Sequence, residues 1–219
     1  MQAADVAQQL GDLQSQVLAL GDRVEGMLVQ AADLLQRCDL AGLEQLGSDE
    51  RQVHELRLAV EMGCLGLIAA QRPRNGNLRS AVALVEIASD LEQMAEHARQ
   101  IARANYLSLE RCFGSSLQSI RHLSAEVQTM LHQAMQAVEH SDEAAAQAVF
   151  AQFMQTEALY EAVHQELLLL MKHRPRFANQ AIHLARSVNQ LKQAADRVAS
   201  ICEWTLYAIR GEDHATSNV

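Results

Sequence analysis

Glu50 and His54 stand four residues apart in one long amphipathic stretch, and Glu92 and Glu96 stand four apart in the next. Four residues make about one helical turn, so each pair projects from one face of its helix. Three carboxylates and an imidazole are donors of the kind that hold iron, manganese or zinc. Whether they meet depends on how the two helices are set. Between them lies Arg72-Pro73-Arg74-Asn75-Gly76-Asn77. Proline fixes φ there and Asn-Gly tolerates positive φ, so the chain reverses. In the resulting antiparallel hairpin both pairs lie on like flanks of their seams, and like flanks face each other. Height agrees as well: Glu50 and His54 lie 20 and 16 residues before Ala70, and Glu96 and Glu92 lie 18 and 14 after Leu78. At 1.5 Å per residue the mismatch is roughly 3 Å.

The same construction further along gives Phe153, Glu157, Lys192 and Asp196. A phenyl ring and an ammonium stand in place of two would-be ligands. Lys192 is placed to pair with Glu157 or Asp196, which would supply through the chain itself the positive charge a metal would bring. This second site reads as lost. Against both sites stands a plainer reading, in which acids at i,i+4 on an amphipathic helix form a solvated face. His97, His122, His132, His140, His164, His173, His183 and His214 are scattered and read as surface or packing residues. Glu161 and His164 have the Glu-x-x-His spacing of di-iron bundles, once where two are needed. No Gly-rich phosphate loop, nucleophile elbow or triad signature occurs, and Trp204 and Tyr207 read as packing.

The elements that position these residues come in two copies. The chain has only two prolines, both in Arg-Pro-Arg: Arg72-Pro73-Arg74 and Arg174-Pro175-Arg176. The helix from Leu91 to Ala102 has its counterpart from Leu191 to Cys202, offset by 100 (191 − 91), and His54-Glu55-Leu56 aligns with Glu157-Ala158-Leu159, offset by 103 (157 − 54). A fixed internal period is the mark of a repeat. Six long helices are expected. The first spans about Ala4 to Gln36; a short helix follows Cys38-Asp39, and Ser48-Asp49 caps the second long helix, which ends at Gln71. The third runs from Leu78 to Glu110. The second repeat starts at Gly114-Ser115-Ser116, with Ser116 as cap; helix four ends near His140, Ser141-Asp142 starts helix five, and helix six fades at Gly211. Val53, Leu56, Val60, Gly63, Leu67 and Ala70 form one seam; Ala88, Leu91, Ala95 and Ala98 another; Val188, Leu191, Ala195 and Val198 repeat its rhythm. Such seams belong to antiparallel bundles joined by short turns. The fold class expected is all-α, two tandem antiparallel three-helix bundles: residues 1–111, residues 112–211, and a polar tail at 212–219. Small seam residues such as Gly63, Ala88 and Ala95 should let the helices approach closely.

Composition agrees and excludes several functions. In 219 residues, 49% are apolar but only 4% aromatic, which favours helix over strand. A net charge of −9 without a basic face argues against nucleic-acid binding. Cys38, Cys64, Cys112 and Cys202 lack CxxC spacing and read as buried thiols in a reducing compartment. The first twenty residues carry Asp5 and Asp12 and no Lys or Arg, unlike a signal peptide. The apolar runs at Gly63–Ala70 and Leu167–Met171 fall far short of the roughly 20 residues of a membrane span. A soluble cytoplasmic protein is expected.

These residues resemble the PhoU family of bacterial phosphate-uptake regulators over nearly the whole chain. In that family a QP-x-x-x-DLR turn precedes a helix carrying ER-x-GDHA-x-NIAE, and the unit is duplicated. Gln71, Pro73, Leu78 and Arg79 resemble the turn, with Asn77 where Asp is usual. Glu92, Glu96, His97, Ala98, Ile101 and Ala102 resemble the helix motif, Glu96 replacing Asp. In the second copy Asp196, Ile201, Glu203, Trp204 and Tyr207 match, while Lys192 stands where the family has Glu and Ser200 where it has Asn. The resemblance implies two tandem three-helix bundles and multinuclear metal clusters held by paired acidic motifs. Those motifs fall on Glu50, His54, Glu92 and Glu96, and in degraded form on Phe153, Glu157, Lys192 and Asp196, with Glu203 further along.

The function so implied is that of a non-enzymatic cytoplasmic negative regulator. It would act by contact with the phosphate ABC transporter and the sensor kinase of the phosphate regulon, reaching the membrane only through partners; a homodimer is compatible with this. A rival from another class is a metal-dependent carboxylate enzyme, redox or hydrolytic, using Glu50, His54, Glu92 and Glu96. A third is a helical scaffold without metal.

Overall fold

The computed structural model describes residues 2–35, 37, 39–71, 73, 76–106 and 114–210. Among them are six long α-helices, one 3₁₀ turn and no strand. They are α1 (Gln2–Leu34), α2 (Leu40–Gln71), α3 (Gly76–Tyr106), α4 (Gly114–His140), α5 (Glu143–His173) and α6 (Ala178–Arg210), with the 3₁₀ turn at Pro175–Phe177 between the last two. Helices α1, α2 and α3 pack on one another, as do α4, α5 and α6. The two bundles join along α3 and α6, the most extensive interface in the molecule, with α1 against α4 beside it.

Heptad-like spacing dictates which faces are buried. In α3, Ala88, Leu91, Ala95 and Ala98 are fully buried, and in α6, Val188, Leu191, Ala195 and Val198 occupy the equivalent line. In α4, Ile120, Leu123, Val127, Met130, Ala134 and Ala137 do the same, so one apolar core runs through both bundles. Close approach relies on two glycines. A Cβ on Gly63 would meet Leu13 Cδ2 at 2.5 Å, where α2 crosses α1, and one on Gly21 would meet Met135 Cε at 2.7 Å, where α1 crosses α4. The helix propensity lost at Gly21, about 1 kcal/mol, is thus offset by a contact between the bundles.

Local chemistry sets the helix ends, not always where the sequence pattern points. Among the described residues no separate short helix precedes α2. Asp39 accepts a hydrogen bond from the Gly42 backbone N–H at 3.1 Å and starts one continuous helix at Leu40. Ser48-Asp49 is therefore helix interior, where Asp49 accepts from Gln45 Nε2 at 3.1 Å and faces Arg23 Nη1 at 3.7 Å. The buried line of α2 is Leu46, Val53, Val60, Cys64 and Leu67. Leu56 lies off that line, 36% exposed, and Ala70 is exposed as well. Helix α3 begins two residues before the expected Leu78. Helix α4 begins at Gly114 and takes Ser116 into its first turn.

The α4–α5 joint is a Schellman turn. Ser141 adopts φ 50°, and the Asp142 N–H reaches back to the Ala137 carbonyl at 3.0 Å. Asp142 then caps α5 by accepting from the Ala145 N–H at 3.0 Å. The Arg-Pro-Arg flanks Arg72 and Arg74, Cys38, Cys112, the end of the third helix at Glu110 and the tail at 212–219 lie outside the described residues.

Candidate functional site: the facing flanks of each bundle

Helices α2 and α3 bring two of the four expected residues into contact. His54 Nδ1 lies 2.5 Å from Glu92 Oε1. The other Glu92 oxygen, Oε2, lies 2.9 Å from Arg57 Nε, and Arg57 also pairs with Glu61 one turn along. Glu50 does not turn toward Glu92; its Oε2 lies 2.5 Å from Arg99 Nε on α3. Glu96 accepts from Gln100 Nε2 at 2.8 Å on its own helix. The Nε atoms of Arg57 and Arg99 are shielded from solvent and lie off hydrogen-bonding angle to any acceptor. Their hold on the carboxylates is therefore charge–charge attraction more than directed hydrogen bonding.

Sequence reasoning named the acids and passed over these arginines. The signal was there: Arg57 is three residues beyond His54 and Arg99 three beyond Glu96, so each shares a face with the expected ligands. As a metal-binding set the residues do not fit. Both Glu92 oxygens are committed, Glu50 is paired elsewhere, and Glu96 is bonded along its own helix. Among the described residues no three His, Cys, Asp or Glu side chains gather closely enough to hold a metal ion.

The equivalent flank of the second bundle is more exposed and carries its own cation. Lys192 Nζ bonds the Glu157 carboxylate, lies 3.5 Å from Asp196 Oδ1, and sits 5.6 Å from the centre of the Tyr160 ring. The hydrogen bond to Glu157, with the nearby Asp196, holds the Lys192 ammonium above the ordinary lysine range. Phe153 packs against the core and tilts against Phe150 with ring centres 6.0 Å apart. Between Phe153, Glu157, Tyr160 and Lys192 remains a void of about 10 Å³, scarcely room for one water. Glu203 is two turns beyond Asp196 on α6, about 10 Å along the axis, and does not join this set. Glu161 is exposed and accepts from Gln165 Nε2 at 2.9 Å, while His164 stacks on Tyr160 at 6.0 Å.

A third group of polar residues lies where the bundles meet. His97 Nδ1 is 2.7 Å from Gln190 Oε1, and Arg197 Nη1 is 3.2 Å from Asp90 Oδ1. With the repeat offset of 100, residue 97 corresponds to 197 and residue 90 to 190, so the two bridges are one contact made twice about a pseudo-two-fold axis. Burial lowers the His97 pKa, against opposing pulls from Gln190 and Glu96. Burial raises that of Asp90, outweighing Ser200 and Arg197. His97 is thus a packing residue at an interface, and Asp90 a buried charge that periodicity alone did not single out.

A cavity of about 280 Å³ opens where α1, α3, α4 and α6 converge, lined by Leu10, Gln14, Leu84, Ile87, Val138 and Thr205 among others. Among the described residues no acid, base or thiol lines it, and it does not coincide with either flank. Cys64 and Cys202 are free and buried, which pushes their thiols up to about 11 and about 12, far from reactive thiolates. Among the described residues no helix is long and apolar enough to cross a membrane.

Fold and flanks together define a tandem-repeat helical protein whose ionisable groups sit on bundle surfaces and at the seam between bundles. The PhoU domain matches it twice, at residues 17–104 and 120–205, and the chain belongs to that family. It is 26% identical over 207 residues to the phosphate-specific transport system accessory protein PhoU homolog of Pseudomonas aeruginosa, covering 94% of this chain and 85% of that protein. To the PhoU accessory protein of Escherichia coli K12 it is 22% identical over 205 residues, covering 94% and 85%. The crystal structure of PhoU from P. aeruginosa superposes with a TM-score of 0.87 at 23% identity, over 94% of this chain and 99% of that one. The phosphate transport system regulatory protein PhoU from Streptococcus pneumoniae gives 0.87 at 24%, over 94% and 98%.

Proposed function

We propose that this chain is a non-enzymatic cytoplasmic negative regulator of phosphate uptake and phosphate-regulon signalling, acting by contact with the phosphate ABC transporter and the regulon's sensor kinase. One observation carries the reading: the PhoU domain is present in both halves, and relatives aligned over 94% of the chain are named phosphate transport accessory proteins. The physical layout supports an adaptor. An adaptor works by occupancy, so it needs a stiff frame and exposed contact residues. Long helices with a continuous core supply the first. Met62 and Leu65 on α2, with Met154 and Leu169 on α5, supply apolar contact points 51–68% exposed, on a surface whose net charge of −9 disfavours nucleic acid.

The test is genetic. Deleting the gene should raise phosphate-regulon reporter output in phosphate-rich medium, and the wild-type copy should restore repression. An unchanged reporter in the deletion strain would send the function elsewhere and leave the fold untouched.

A further inference from the structure

The positive charge that a metal would bring to an acidic flank is already present in both bundles, and it comes from a different position in each. In the first bundle it comes from Arg57 beside Glu92 and Arg99 beside Glu50. In the second it comes from Lys192, between Glu157 and Asp196. The repeat offsets make the difference explicit. Lys192 occupies the place of Glu92, Tyr160 the place of Arg57, and Ala199 the place of Arg99. Where the arginines are absent, a ligand position itself has become a cation.

We propose that this chain has exchanged the metal centres of its family for internal ion pairs in both bundles, so that its folded state is complete without a transition metal. A zinc-like ion must come within roughly 2.0–2.2 Å of a carboxylate oxygen. On Glu50 and Glu92 the guanidinium nitrogens stand 2.5 and 2.9 Å from the oxygens it would need. Displacing them would move solvent-shielded Nε atoms and set two cations against each other. In the second bundle the Lys192 ammonium already stands between the Glu157 and Asp196 carboxylates, and Phe153 offers no lone pair. The cations come from different positions in the two bundles: beside the acids in the first, and at a ligand position itself in the second. The inference rests on these contacts and stands apart from the regulatory reading.

The experiment measures metal content and melting together. Protein purified without chelator and dialysed separately against Fe²⁺, Mn²⁺ and Zn²⁺ should hold far less than one ion per chain. Its Tm should be the same with metal, without metal and with EDTA. A full ion per chain surviving dialysis and raising Tm would overturn the proposal. The reverse arm uses Lys192→Glu, which restores a carboxylate and removes the cation. Its Tm without metal should fall by about 2–4 °C, and added Mn²⁺ or Zn²⁺ should raise it by binding the folded state. A Lys192→Glu Tm equal to wild type would overturn the exchange, and so would a fall that no metal reverses, since the residue would then be packing alone. Should that variant fail to fold, the wild-type measurement still decides.

Discussion

The two bundles share a backbone plan, yet their flanks balance charge in opposite ways. The first keeps three carboxylates and an imidazole and brings arginines in from neighbouring positions. The second changes the row itself, placing Lys192 among the acids and Phe153 at its end. A duplicated fold therefore fixes where a side chain stands and leaves open what stands there. What both copies preserve is a cation among crowded carboxylates, because like charges at close range raise one another's cost. The seam between the bundles diverges similarly, with one charged bridge (Asp90–Arg197) and one neutral bridge (His97–Gln190) at equivalent places.

The sharpest way to break this comparison is in the core, where the halves are alike. Leu91 and Leu191 are both 0% exposed, so Leu91→Ala and Leu191→Ala should each cost about 3–4 kcal/mol in urea unfolding. Costs differing by more than about 1 kcal/mol would show that the seams are not equivalent.

Smaller effects should separate the flanks. The double change Arg57→Gln with Arg99→Gln removes partly buried guanidiniums and should cost about 1–2 kcal/mol. Lys192→Gln breaks a more exposed pair and should cost about 0.5–1 kcal/mol. Both costs should shrink in high salt; equal costs at all salt concentrations would mean the pairs hold by packing.

The smallest effect concerns the neutral bridge. The folded-state pKa of His97 is lowered by burial, so the fold favours the neutral ring. Its contribution is present above the unfolded value of about 6.5 and is lost as pH falls through the folded value. Between those two values the unfolded chain binds more protons, and stability declines as acid is added. Wild-type Tm should therefore drop between about pH 7 and pH 5 more than that of His97→Gln. Parallel curves would place the acid sensitivity elsewhere.

The helices were legible in the sequence because seams at heptad-like spacing leave little choice of face, and the turns were marked by Pro73, Pro175 and Asp142. Misplaced elements trace to local competition. Asp49 looked like a cap, but Asp39 had already supplied one, so α2 ran through Ser48 unbroken. Leu56 fitted a rhythm of 3,4,3, yet the buried line runs through Val53, Val60 and Cys64. At the flanks the acids were visible and the facing of His54 and Glu92 followed from turn and height. Arg99 was passed over despite its spacing from Glu96, because an arginine on a polar face reads as solvated until the opposite helix is in place. Asp90 was hidden for the converse reason, since only the packing of α6 on α3 buries it.

The reciprocal pairing of residue 97 with 190 and of 197 with 90 has a consequence for what the molecule can vary. Two identical subunits meeting about a two-fold axis must make every contact twice with the same residues, and a change in one bridge is a change in both. Carried on a single polypeptide, the two bridges are separate heritable characters. One has become acid and base, the other an imidazole and an amide. Covalent fusion of the repeats thus loosens a symmetry that would tie a homodimer, and each half of the interface can be tuned to its own surroundings.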